Sequence, residues 1–175
     1  MEKEIIEKMK IVRIGILLSL LTLLFGFVLG GLFGVIESKI KNHLKGEAQA
    51  VFDTVYKSDS ITMKKITDKS WVYFKRAHLH ANGLGAISLA TILLLMFMPT
   101  PLLLKKLTAI FLGLGSFGYS LFWMFAALKA PGLGSTGAAK DALAFLAIPS
   151  AGLCIIGLIS LLLIVFKAVC YPRYG

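Results

Sequence analysis

Residues 14–36, 81–104, 107–128 and 142–166 contain no Asp, Glu, Lys or Arg. Each of these runs holds 22 to 25 residues, and a helix of that length, rising about 1.5 Å per residue, crosses a hydrocarbon core ~30 Å thick. The pattern predicts an all-α integral-membrane four-helix bundle, one domain over residues 1–175, with the 44-residue stretch 37–80 as the extended first loop. In the first run Ser19, Thr22, Gly26, Gly30, Phe33, Gly34 and Glu37 fall within about one third of a helix circumference. That stripe is expected to face protein, with Gly26, Gly30 and Gly34 allowing another helix to approach closely. Glu37, at the membrane boundary, is expected to be solvated.

Punctuation between the runs predicts their ends. Residues 48–56 suggest a short interfacial helix, and Ser58-Asp59-Ser60 a turn, because short polar side chains hydrogen-bond nearby backbone. Thr67 or Asp68, both good N-caps, is expected to start a helix that runs through residues 69–80 into the second span. Pro99 and Pro101 end it, and Lys105 and Lys106 mark a tight turn. The third helix is expected to end near Lys129, with residues 130–137 a loop by composition. Asp141 or a neighbour then opens the fourth helix, which carries Pro149 in its first turns.

Composition agrees with the membrane assignment. The 175 residues are 57% hydrophobic and 16% charged, against roughly 45–50% and 25% in soluble domains. Thirteen residues with seven charges precede an apolar run of 23, longer than the ~7–15 of a signal-peptide core, so the first run is expected to be retained as a span. A net charge of +10 raises nucleic acid as a partner. The basic residues flank apolar runs without interleaved aromatics, however, which favours the lipid bilayer as partner and no nucleic acid. The short segments carry the denser Lys and Arg, placing both termini in the cytoplasm. Cys154 and Cys170 are too few for a disulfide framework.

The chemistry-bearing segment is residues 75–86, at the mouth of the second span. Two histidines and an asparagine entering an apolar helix are costly unless they face the bundle interior or a ligand. His78 and His80 lie ~200° apart on a helix, so they cannot ligate one metal from one side. The His78 face continues through Asn82, Gly85, Ala86 and Leu89, and the small residues there would admit a flat macrocycle. The His80 face continues through Gly83, Leu84, Ile87 and Thr91. Heme b fits this arrangement, because an imidazole supplies an axial nitrogen and Arg76 or Lys75 can pair with propionates. The bland alternative is an interfacial polar pair. On the third span Leu112, Gly115, Ser116, Tyr119, Phe122, Trp123 and Ala126 share a face. On the fourth, Ser150, Cys154 and Gly157 form a packing seam. No Ser-His-Asp pattern, phosphate loop or intramembrane carboxylate pair supports hydrolysis or nucleotide chemistry.

Arg76-Ala77-His78 followed by Asn82-Gly83, then residues 117–122 (FGYSLF) and residues 141–149 (DALAFLAIP), resembles the membrane-bound styrene oxide isomerases over about the last hundred residues. Those are small four-helix, homo-oligomeric heme b proteins that turn an aryl epoxide into an aldehyde. The resemblance implies a ferric iron held by His78 with Gly85 beside the ring, a small apolar substrate, and Asn82 and Tyr119 orienting or polarising the epoxide. The expected location of the chain is a bacterial inner membrane. Asn82 follows His78 by four residues where that family has six, and the first loop is about twenty residues longer. His80-Ala81-Asn82-Gly83 after an arginine also resembles the low-spin heme helix of cytochrome oxidase catalytic subunits. There His80 would be the ligand, with His43 or a partner subunit supplying the second. A heme-free structural subunit of a larger membrane complex is the third expectation.

Overall fold

The computed structural model describes residues 2–170. It contains α1 (Glu2–Ala50), α2 (Ser60–Phe97), α3 (Leu102–Leu133), α4 (Thr136–Asp141) and α5 (Ala144–Cys170), with no strand among the described residues. Four of the five helices are long and apolar enough to cross a membrane, so the chain folds as a four-helix membrane bundle. α1, α2 and α3 all pack on one another, whereas α5 lies on α3 with only a minor contact to α4. α5 consequently presents large apolar side chains such as Phe145, Ile148, Leu162 and Leu163 outward, each more than half exposed. An exposed apolar surface of this extent fits contact with the lipid bilayer.

Helical structure continues well past the apolar runs. At 49 residues, α1 is about 74 Å long, roughly twice what a bilayer needs. A kink at Ile36 (φ −130°, ψ 24°) marks the end of its apolar run. Beyond the kink Ile40, Leu44 and Ala48 recur every four residues, and Leu44 and Ala48 are fully buried. That apolar ridge keeps α1 helical and packed to Ala50. The expected short helix over 48–56 therefore does not form, and residues 51–58 make the turn instead. In that turn Lys57 and Ser58 take positive φ values of 51° and 61°.

α2 begins at Ser60, earlier than Thr67 or Asp68, because Asp59 caps it. The Asp59 carboxylate accepts from the Ile61 and Thr62 amides at 2.9 and 3.1 Å and from the Thr62 hydroxyl at 2.6 Å. The Thr62 hydroxyl, then its amide, holds this carboxyl below the usual carboxylate range. The cap is thus complete at neutral pH and is lost as pH falls through the lowered pKa. Met98 ends α2 in extended conformation just before Pro99.

α3 runs four residues beyond Lys129, carrying Pro131 in its last turn, and ends on Gly134 in the left-handed region (φ 60°). Gly134 packs so closely against Val55 that a Cβ there would overlap it. Ser135 caps α4 by accepting from the Ala138 amide at 3.2 Å. Asp141 therefore closes α4 and does not open α5, which starts at Ala144 after the buried Leu143.

The outer hairpin is fastened to α3 by one long-range bond. The Tyr56 hydroxyl donates to the Pro131 carbonyl at 2.6 Å, and burial pushes the phenol pKa up. Tyr56→Phe keeps the ring and removes only this bond. Its expected effect is about 1 kcal/mol, measured as faster amide hydrogen exchange over residues 51–59 with an unchanged helical circular dichroism spectrum.

Candidate functional site

The two histidines at the mouth of the second span point into different seams. His78 sits between α1 and α2. Its Nδ1 lies 2.8 Å from the Gly26 carbonyl, an acceptor only, so that nitrogen carries the proton and donates. The amide nitrogen of Asn82 lies 3.2 and 3.4 Å from the two ring nitrogens and donates to the unprotonated Nε2. Phe33 stands edge-on to the imidazole at 5.6 Å. A Cβ placed at Gly30 would come within 2.7 Å of His78 Cε1, and one at Gly26 would overlap Asn82 Oδ1. The glycine stripe of α1 therefore faces protein as far as Gly30, and the notch it leaves is filled by this imidazole and amide. Gly34 lies open with nothing within 4 Å, because the stripe leaves the seam close to the kink.

This arrangement does not fit an iron porphyrin on His78. Both ring nitrogens are engaged and α1 covers the ring. Gly85, expected beside the macrocycle, packs instead against Leu23 of α1, whose side chain would stand 3.0 Å from a Cβ there. Asn82 is committed to the same seam, with its Oδ1 buried and unpartnered, and does not meet Tyr119.

His80 faces α3. Its Nδ1–H donates to the Arg76 carbonyl one turn earlier, at 2.8 Å, which leaves Nε2 as a lone pair with no partner among the described residues. A ring nitrogen tied to a backbone carbonyl fixes the tautomer and presents the other nitrogen as a ligand or base. Tyr119 lies edge-on to His80 at 5.2 Å and Trp123 lies tilted at 5.9 Å. The Tyr119 hydroxyl makes no hydrogen bond to a described residue. Arg76 holds its guanidinium 4.9 Å from the Trp123 ring and 5.5 Å from the Tyr73 ring, with no carboxylate within 4.0 Å among the described residues. Trp123 is 8% exposed, and its Nε1–H is buried without an acceptor. Leu146 and Ala147 of α5 border the same apolar cluster.

Four groups thus gather between α2 and α3, where α2 enters its apolar run: a guanidinium, an indole N–H, a phenol and a free imidazole nitrogen. Three are donors, and one of them, the Trp123 N–H, is buried without an acceptor, which is costly, so the chemistry this cluster suits is that of an acceptor-rich or anionic partner. Cation–π contacts keep Arg76 in place without neutralising it. Among the described residues no three His, Cys, Asp or Glu side chains come together, so the cluster offers one imidazole and no multi-ligand metal centre. His43 lies exposed on α1, 13 residues beyond Gly30, or about 20 Å along the helix, and is not brought to either histidine.

Sequence reasoning missed the polar junction beneath this cluster. The Ser88 hydroxyl donates to the Leu112 carbonyl at 3.1 Å and the Ser116 hydroxyl to the same carbonyl at 2.6 Å. The two hydroxyls also meet each other, and Ser116 reaches Cys154 Sγ at 3.8 Å. This ties α2, α3 and α5 together inside the bundle. The spacing Ala81, Gly85, Ser88 on one face of α2 was the available signal. Comparison with protein-family models, with curated proteins and with solved structures finds no match to this chain.

Proposed function

We propose that this protein is a membrane-embedded binding protein for a ligand with an apolar body and an acceptor-rich end, taken up at the His80, Tyr119, Trp123 and Arg76 cluster. One observation carries it: the His80 Nδ1–H bond to the Arg76 carbonyl leaves Nε2 free beside donors that have no acceptor of their own. Such a ligand reaches the cluster from the bilayer, and its polar end relieves the unpaired Trp123 N–H and the uncompensated Arg76.

Heme b is a member of that ligand class, and the donor set at His80 suits it where that at His78 does not. His80 would hold the iron through Nε2, and Arg76 would pair with a propionate. When bound, a ferric iron supplies a Lewis acid for an epoxide oxygen, the chemistry that the isomerase resemblance implies. The chain's own contributions are then to orient and to exclude water. Tyr119 donates from its hydroxyl to a substrate oxygen, the Trp123 and Phe122 rings wall the site, and the Ser88–Ser116 junction fixes α2 against α3. The in-chain pair of histidines required for low-spin electron transfer is not assembled, since His43 is remote.

The test is made on freshly purified full-length protein in mild detergent, by absorption spectrum and by mass spectrometry of its organic extract. A Soret band, or a stoichiometric apolar ligand bearing a carboxylate, epoxide or carbonyl, is the expected outcome. Colourless protein that extracts only bulk lipid overturns the proposal.

A further inference from the structure

At the opposite end of the bundle from His80, a cleft of about 150 Å³ lies between α1 and α3. Lys10, Arg13 and Lys106 line it together with the apolar Ile11, Ile14 and Ile110, and no carboxylate does. Arg13 is the last residue before the first apolar run and Lys106 the last before the third, so both stand at one membrane boundary. Lys10 pairs with Glu7 at 2.5 Å, both side chains more than half exposed. Arg13 and Lys106 have no carboxylate partner among the described residues.

The neighbouring Lys105 has a different task. It is buried and donates to the Met96 carbonyl at 3.2 Å, closing the end of α2. Next to the cleft, Gly15 lies against the backbone of Ala109, and a Cβ at Gly113 would stand 2.9 Å from the Gly15 carbonyl. The two helices are therefore in backbone contact there and the cleft has a firm floor. Ile14 is half exposed, so the apolar side of the cleft opens toward hydrocarbon.

Two unpaired cations from different helices, at the depth of the headgroups and above isoleucines open to lipid, match an anion that carries an acyl tail. We propose that this cleft binds a phosphate anion, presented by an anionic phospholipid whose chain lies along Ile14 and Ile110. Basic residues at a membrane surface each raise affinity for anionic lipid about fivefold.

The experiment places the full chain in phosphatidylcholine nanodiscs containing phosphatidylglycerol and counts retained lipid by native mass spectrometry after release into neutral detergent. Wild type is expected to retain phosphatidylglycerol over phosphatidylcholine. Arg13→Gln/Lys106→Gln is expected to lower that retention about 25-fold, whereas Lys64→Gln/Lys65→Gln, which removes the same charge from the outer hairpin, leaves it unchanged. Ile110→Trp fills the cleft without altering charge and is expected to abolish retention with normal helicity. Equal retention of the two lipids together with no effect of inorganic phosphate overturns the site, as does wild-type retention by either cleft variant. Where millimolar inorganic phosphate stabilises wild type but not the double variant against heat, and no phosphatidylglycerol is held, the phosphate site stands and the lipid as its source is overturned.

Discussion

Gly115→Leu detaches α5 from the rest of the bundle. A Cβ at Gly115 would lie 2.7 Å from the backbone nitrogen and Sγ of Cys154 and 2.7 Å from the Ser150 carbonyl. Two of those three atoms are backbone, so no side-chain rotation relieves the overlap and the whole helix must move. Alanine at this position already costs about 1–3 kcal/mol by overpacking, and leucine exceeds what the seam absorbs. α5 has no second seam to hold it, since α3 is its one substantial neighbour. The readout is Cys154, half-buried and within reach of Ser116. In a Cys170→Ser background Cys154 should react with a membrane-permeant maleimide at least ~10-fold faster in the variant, the factor given by ~1.4 kcal/mol. Unchanged reactivity would mean that α5 is held by something other than this contact.

His80→Ala and His78→Ala separate the binding role from the packing role of the two imidazoles. His80 bonds only to a carbonyl of its own helix and otherwise meets only the Tyr119 and Trp123 rings, so its loss breaks no hydrogen bond between helices and removes the free imidazole nitrogen of the cluster. Bound ligand should disappear from the purified protein while its thermal stability changes by less than about 1 kcal/mol. His78 fills the notch made by Gly26 and Gly30 and bridges α2 to α1. Its truncation leaves a cavity and an orphaned Asn82 amide, costing about 2–4 kcal/mol, while ligand remains bound in the fraction that folds. Arg76→Gln takes away the charge but not the stacking surface. It should weaken an anionic ligand about tenfold or more, in line with a charge-assisted hydrogen bond. Loss of ligand in His78→Ala with retention in His80→Ala would reverse the assignment.

How far the sequence discloses all this depends on the range of the interaction concerned. The four spans are legible because burial in hydrocarbon demands uninterrupted apolar residues, a local requirement. The outer parts of α1 and α2 are not, since residues 37–50 are polar on three sides and their helicity rests on the Leu44 and Ala48 ridge finding α2 and α3. Asp59 is a strong N-cap in plain view inside a turn signal, yet Thr67 and Asp68 offer the same chemistry, and only the hairpin geometry decides. The Pro131 carbonyl at the end of α3 accepts from Tyr56, 75 residues away in the chain, a pairing that no local pattern discloses. For the site, periodicity puts His78 and His80 on different faces of α2. Which face meets α1 and which meets Tyr119 and Trp123 is a matter of helix order around the bundle, and no local pattern encodes it. Asn82 is drawn to the α1 seam for the same reason, one turn from His78.

The dependence of α5 on α3 alone bears on the order in which the polypeptide enters its membrane. By the time Leu133 has left the ribosome, α1, α2 and α3 already possess one another, and what is still to come is the short α4 on α3 and α2 and the long α5 on α3. The last hairpin segment can arrive late, its outward-facing Phe145, Ile148, Leu162 and Leu163 content in lipid from the first moment, and then slide sideways onto a preassembled trio.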